Sequence, residues 1–383
     1  MQALLAKLQE MLGAFADYGV PFVVTLSIVV FVHEFGHYWV ARRCGVKVIS
    51  FSIGMGPEIF GRTDKSGTRW KFSLLPIGGY VQMFGDADPA SATVDAEAKA
   101  MPEDERKVAF FAQNVYKRIA IIAAGPGANY LFALIVLFGM FSFFGVPYTP
   151  PILDSVTEGG AAFTAGLKPG DKVLSVDGVK INKFSELQHM TALNLGAPMQ
   201  LSIARGTELL QIAITPKIVD VTDRLGNQVK MPRMGVTTTT RTESYEKIGP
   251  VQAVQESFDY VWGFTRDTMT VIGQMIMGTR STEDLGGALR IAKISGDIVK
   301  TRDVGWYIEF IVKISISLGF INLLPIPLLD GGHIFFYLLE AVRRKPVHER
   351  VQEYAARLGL GIVLCMMIFT LWNDLHFLKW WPV

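Results

Sequence analysis

The chain has 383 residues, half of them hydrophobic, with a formal net charge of only +2 and a mean hydropathy of +0.31. A soluble enzyme of this length needs a more polar surface, so the composition points to a membrane protein. The basic residues gather in particular loops without an aromatic-interleaved stripe, which argues against nucleic acid as a partner. Cys44 and Cys365 lie far apart in or beside apolar segments and build neither a disulfide framework nor a cysteine zinc site.

Crossing a bilayer takes about 20 mostly apolar residues in a helix. Four segments meet that need: Gly19 to Ala41, Ile119 to Val146, Trp306 to Leu324 and Ala355 to Trp372. The first lacks the basic start, short apolar core and small-residue cleavage site of a signal peptide, so it is expected to stay in the mature chain. Arg42, Arg43 and Lys47 follow the first segment, Lys117 and Arg118 precede the second, and Arg343, Arg344, Lys345 and Arg350 separate the third from the fourth. Positive flanks remain cytoplasmic, which leaves the stretch from Pro147 to Val304 and both termini outside. Trp380 and Trp381 fit an interfacial aromatic belt.

Between the first two segments, short β-type runs (VISFSI, RWKFSLL, GYVQMF) separated by Gly and Pro predict a membrane-associated β-hairpin, with a turn around Asp64 to Gly67. Asp86 to Arg106 reads as a polar linker. From Pro151 to about Val219 the pattern is that of a compact domain, with strands at Lys172 to Val176, Met199 to Ala204 and Leu210 to Ile214 and a helix starting near Phe184. Its glycine turn from Ala165 to Asp171, followed by Val173 to Gly178, resembles the PDZ domains of bacterial envelope proteases.

The expected fold is a polytopic α-helical membrane protein with four transmembrane helices, a β-hairpin region and an extracytoplasmic β-rich α+β domain of PDZ type. Its divisions are 1–47 with the first helix, 48–118 with the hairpin and linker, 119–146 with the second helix, 147–240 for the PDZ domain, 241–304 for amphipathic linker helices, 305–342 with the third segment, and 343–383 with the last helix and tail.

The chemistry sits in the apolar segments. His33-Glu34-Phe35-Gly36-His37 has the H-E-x-x-H spacing, which on a helix stacks two imidazoles one turn apart to hold a zinc ion and sets Glu34 beside it to take a proton from water. Charged groups are costly at membrane depth, about 2.5–3.5 kcal/mol each on insertion scales, and a bound dication offsets that cost. A hydrolytic zinc needs a third protein ligand and an open position. Asp330, in Asn322-Leu-Leu-Pro-Ile-Pro-Leu-Leu-Asp-Gly-Gly-His333, is the remaining acidic residue in apolar surroundings, with His333 as the alternative. Pro325 and Pro327 break the helix there, which at membrane depth requires a buried or polar-lined setting.

Several runs together resemble the bacterial site-2 protease family, that of the regulator-of-sigma-E protease. They are the zinc motif with Tyr38 and Ala41-Arg42, Pro76-Ile-Gly-Gly-Tyr80-Val81, Gly125-Pro-Gly-Ala-Asn129, and Asn322 to Gly332. The resemblance implies an intramembrane zinc metalloendopeptidase of an inner membrane. It implies that His33, His37 and Asp330 bind zinc, that Glu34 is general base and then proton donor, and that Asn322 helps hold substrate. It also implies single-pass membrane substrates, such as trimmed anti-sigma factors or remnant signal peptides. This chain departs from the family in carrying one PDZ domain and in having Gly287-Ala288 where Gly-Pro is common.

His37 precedes the cytoplasmic Arg42 by five residues, about 7–8 Å along a helix, so cleavage is expected in the cytoplasmic half of the bilayer. A helical substrate must be locally extended before cleavage, and a strand edge would satisfy its freed backbone groups. Gly79, Tyr80 and Val81 are the candidate edge, against the alternative of a strand paired on both sides. Glu309 and Lys313, at i and i+4, are expected to form an ion pair. Two other classes use some of the same residues. A metal or proton transporter would show inverted repeats, which are not seen, and a membrane-tethered PDZ scaffold would need none of the His33, Glu34, His37 and Asp330 set.

Overall fold

The computed structural model describes residues 9, 12–85, 102–222, 228–238 and 244–378; residues 86–101 of the expected linker and the two terminal tryptophans lie outside them, while the linker's last residues fall in a short helix, Glu103–Lys107. In chain order, helix α1 (Val20–Arg43) leads into the long strands β1 (Val48–Thr63) and β2 (Arg69–Met83), then helix α2 (Val115–Phe143). Strands β3 (Val146–Tyr148), β4 (Ser155–Val156), β5 (Lys172–Val176) and β6 (Val179–Lys180) precede helix α3 (Phe184–Leu193). Strands β7 (Met199–Arg205), β8 (Glu208–Ile214), β9 (Lys217–Thr222), β10 (Gln228–Arg233), β11 (Val236–Thr237) and β12 (Ser244–Glu246) follow. Helices α4 (Pro250–Ile276), α5 (Ala288–Thr301), α6 (Val304–Leu323), α7 (Asp330–Arg343) and α8 (Glu349–Phe377) complete the chain.

Four of the helical stretches, Leu12–Arg43, Val115–Phe143, Val304–Leu323 and Arg350–Phe377, are long and apolar enough to cross a membrane. They coincide with the four segments expected from sequence, each shifted by a few residues at its ends. The chain divides into two compact units, Met1–Leu137 with Glu283–Val383, and Phe138–Thr282.

In the first unit, α1 continues a π-helical turn at Phe15–Gly19, with Pro21 just beyond it, and closes on Arg42 and Arg43, whose charges suit the negative helix end. The hairpin after it differs from the short runs read in the sequence. Both strands stay extended through their Gly and Pro residues and fold over, with Gly54 and Gly56 at φ near +87° and +88° where β1 bends. Residues 50–53 therefore pair on one side with 69–72 and on the other with 79–82, while 60–63 pair with the far side of 69–72. The lateral order is 60–63, 69–72, 50–53 and 79–83, so Gly79–Met83 is outermost and pairs with β1 alone among the described strands. The expected turn is present: Gly67 N–H donates to Asp64 O at 3.1 Å, with Gly67 at φ +85°.

Helix α5 is anchored by a buried carboxylate. Asp374 of α8 accepts the N–H groups of Gly287 (2.8 Å), Leu289 (3.0 Å) and Arg290 (3.2 Å). These are donors that a helix N-terminus leaves unpaired. Glu309 and Lys313 form the expected ion pair at 2.8 Å.

The second unit is β-rich. Its four-stranded sheet runs β6-β5-β7-β8, with the predicted strands at the predicted places. Leu153, Val173, Val176, Phe184, Leu187, Leu201, Ile203 and Ile214 share its core. Asp177 and Gly178, both in the left-handed region, close the hairpin between β5 and β6. Asp171, fully buried at the end of the glycine turn, is bound by Arg205 through two 2.8 Å bonds. Helix α4 belongs to this unit and is tied to α3 by Lys183–Glu256 and His189–Asp267 contacts of 2.8 Å each.

Candidate metal centre

The helical spacing of α1 sets His33 and His37 on one face, and both are buried. Asp330 reaches them from the first turn of α7, where its negative charge also suits the helix N-terminus. The three side chains form one group of ligand atoms. His33 Nε2 and His37 Nε2 lie 3.2 Å apart, and Asp330 Oδ2 lies 3.1 Å from the first and 3.5 Å from the second. Ligands about 2.0–2.2 Å from a tetrahedral zinc stand about 3.3–3.5 Å from one another, so this triangle fits three corners of such a site. Oδ2 of Asp330 is buried against the two imidazole nitrogens and makes no well-directed hydrogen bond to either, as a carboxylate oxygen reserved for a cation would. His333, one turn beyond Asp330, stands outside the group.

Local backbone makes the triangle possible. The chain from Leu324 to Leu329 folds back over the start of α7, and a side chain at Gly331 or Gly332 would strike the carbonyls of Leu323, Leu324 and Ile326. Leu328 takes φ +81°, a strained value for a branched residue, two positions before Asp330. Pro327 is pressed by α8 at Gly359, where a Cβ would meet its carbonyl.

Helix α2 supplies the floor. Gly125 lies beneath the His37 ring, and Gly36 of α1 lies against the Ala124 carbonyl and Ala128. His37 Nδ1 donates to the Ile121 carbonyl at 2.9 Å, which leaves Nε2 with its lone pair toward the triangle. Asn129, two turns along, is fully buried and sits with Nδ2 3.2 Å from His33 Nδ1. The sequence contains this Gly125-Pro-Gly-Ala-Asn129 run as a motif, but only the packing of α2 on α1 assigns its members to particular imidazole atoms.

Glu34 is half-buried beside the triangle, and its carboxylate accepts the Val81 backbone N–H. The edge strand thus touches Glu34 directly. A Cβ at Gly79 would meet Ser52 O at 2.7 Å, Val30 Cγ1 at 2.8 Å and Glu34 Cγ at 3.2 Å, so glycine lets the strand lie against α1. Tyr80, paired with Ser52, has the Lys71 ammonium 4.9 Å from its ring centroid. Asn322 is half-buried in the last full turn of α6, eight residues before Asp330.

Residues 21–366 match the family model described as peptidase family M50. An Agrobacterium fabrum protein assigned as a zinc metalloprotease is 38% identical over 365 residues, covering 95% of this chain and 97% of its own. One from Mesorhizobium japonicum with the same assignment is 39% identical, covering 93% and 98%. Metalloprotease MmpA of Caulobacter vibrioides is 32% identical, covering 93% and 95%. Among solved structures, the PDZ domain of an SdrC-like protein from Listeria monocytogenes covers 26% of this chain and 98% of its own at 20% identity, with a TM-score of 0.21.

Proposed function

This chain belongs to peptidase family M50 and is a zinc metalloprotease, and on that premise we propose that it hydrolyses peptide bonds inside the transmembrane segments of single-pass membrane proteins. The observation that carries this reading is the triangle of His33, His37 and Asp330 ligand atoms, 3.1–3.5 Å apart, with both histidines on a helix of membrane-crossing length and Asp330 at the start of the helix that follows another.

Zinc held by the three side chains would polarise the scissile carbonyl and make water acidic enough to attack near neutral pH. Glu34, next to the first ligand, takes the proton from that water and returns it to the departing amine. The Val81 N–H holds the Glu34 carboxylate in place for both transfers. In an antiparallel pair the N–H and C=O of one residue point the same way, so the Val81 carbonyl also faces the Glu34 side of the strand. It offers an acceptor to a substrate segment extended along Gly79–Met83.

Asn322 lies on the opposite side of the Pro325–Pro327 break from Asp330 and is assigned to the substrate backbone. The β-rich domain is read as a PDZ domain outside the cytoplasm of an inner membrane, filtering substrates by the size of their outer portion. Trimmed anti-sigma factors and remnant signal peptides are the substrate class that such a filter would admit.

The test is metal content read together with cleavage in detergent. Replacing His33, His37 or Asp330 by Ala should remove both zinc and cleavage, whereas Glu34→Gln should keep zinc and lose cleavage. Zinc retained at full occupancy in the Asp330 variant would reject the ligand set.

A further inference from the structure

A histidine that binds a metal through one ring nitrogen needs its proton on the other, and the partner of that second nitrogen decides the tautomer. For His37 the partner is the Ile121 carbonyl, which can only accept. For His33 it is the Asn129 carboxamide, which can do either. With Nδ2 facing His33 Nδ1 at 3.2 Å, Asn129 Oδ1 is buried without any hydrogen-bond partner. That arrangement leaves the His33 proton on Nε2, between Asp330 Oδ2 at 3.1 Å and His37 Nε2 at 3.2 Å, where it would oppose a cation. A half-turn of the nearly isosteric carboxamide places Oδ1 on Nδ1–H, satisfies the orphaned oxygen and turns the Nε2 lone pair into the triangle.

We propose that Asn129 is a positioning residue for the metal, accepting the Nδ1–H of His33 through Oδ1 and so fixing the tautomer that binds zinc. Its backbone is held for this role: Ser315 Oγ of α6 donates to the Asn129 carbonyl at 3.1 Å. Gly319, one turn further along α6, packs on Pro126 and Tyr130 on either side of Asn129. Helices α1 and α2 run antiparallel here, so Ile121 meets His37 and Asn129 meets His33, and one helix orients both imidazoles.

This inference rests on the zinc ligand set proposed above, and its test separates the two. The full-length protein in detergent is prepared as Asn129→Leu, which keeps the volume and removes the acceptor, and as Asn129→Asp, which keeps the acceptor. Zinc affinity is measured by competition with a chelator, the visible spectrum is recorded with cobalt in place of zinc, and thermal unfolding of the metal-free forms is followed. His37→Ala is the control for the ligand set.

The Leu variant should bind zinc about 10- to 100-fold more weakly, with an altered cobalt spectrum and an unchanged metal-free melting point. The Asp variant should stay within a few-fold of the parent. Wild-type affinity in the Leu variant, or equal losses in both variants with lowered metal-free melting, would overturn the role of Asn129. Undiminished zinc in the His37 control would instead overturn the ligand set.

Discussion

The His37 imidazole lies so close over the backbone of Gly125 that a Cβ there would overlap its Nε2 and Cε1 atoms. Gly125→Ala should therefore push the His37 imidazole out of the triangle without removing the histidine from the chain. We expect cleavage to fall about a hundredfold, the scale of a displacement of roughly 1 Å at a catalytic group, with zinc content reduced. Gly127, two residues away in the same helix, has nothing within 4 Å of an added Cβ. Gly127→Ala should thus be neutral in the same cleavage and metal assays, and equal damage from the two would show that the loss is one of helix flexibility.

The Gly287-Ala288 step, which departs from the family's Gly-Pro, has a structural explanation in Asp374. The carboxylate takes the N–H groups of Gly287, Leu289 and Arg290 and passes over Ala288, the first residue of α5. Proline there would lose no hydrogen bond. Gly287 is already extended at φ −102° and ψ −161°, as a residue before proline must be. Ala288→Pro should raise stability by about 0.4–1 kcal/mol by restricting the unfolded chain. Asp374→Ala should lower it, and thermal melts of the two variants in detergent provide the check.

The grouping of His33, His37 and Asp330 was legible in the sequence because H-E-x-x-H is a local pattern, fixed by the period of one helix, and because Asp330 stands in an apolar run broken by two prolines. The strands of the β-rich domain were legible from alternation and turn glycines for the same reason. The partners of the imidazoles were not. Asn129 and Gly125 act through the packing of α2 on α1, and no pattern within either helix says which residue faces which. The hairpin was half legible: its turn at Asp64 to Gly67 follows from composition, but the fold-over that makes Gly79–Met83 outermost depends on bends at Gly54 and Gly56 that leave no periodic trace. The same fold-over lays Gly79 and Val81 against Glu34 of α1.

Asp171 makes the β-rich domain sensitive to acid. Burial alone would raise its carboxyl pKa, but the Arg205 hydrogen bonds and charge and the Lys168 N–H prevail and hold it below the ordinary carboxylate range. A depressed folded-state pKa contributes stability that is complete above the unfolded value of about 4 and is lost as pH falls through the lower folded value. The opening free energy of β5 and β7, read from hydrogen exchange after correction for the intrinsic pH dependence of amide exchange, should therefore be flat from neutrality to about pH 5 and fall below about pH 4. Asp171→Ala should cost about 3 kcal/mol at neutral pH and abolish that acid dependence, and a variant with the parent's pH profile would assign the transition to another group.

The edge strand is tested by two substitutions that act on different links. Val81→Pro removes the N–H that holds Glu34, so it should slow cleavage of every substrate alike while zinc content stays normal. Gly79→Ala leaves that N–H but adds a Cβ facing Ser52 O, Val30 and Glu34 at 2.7–3.2 Å, which shifts the strand away from α1. A displaced edge pairs poorly with an incoming segment, and the cost falls on substrates whose helix must be unwound against its own hydrogen bonds. Segments already weakened by Gly or Pro have less to gain from the edge. Gly79→Ala should thus slow a stable transmembrane substrate about 10-fold more than a Gly- or Pro-containing one, a difference of about 1.4 kcal/mol in the barrier. Equal slowing of both substrates would leave Gly79–Met83 as a support for Glu34 and remove substrate pairing from its role.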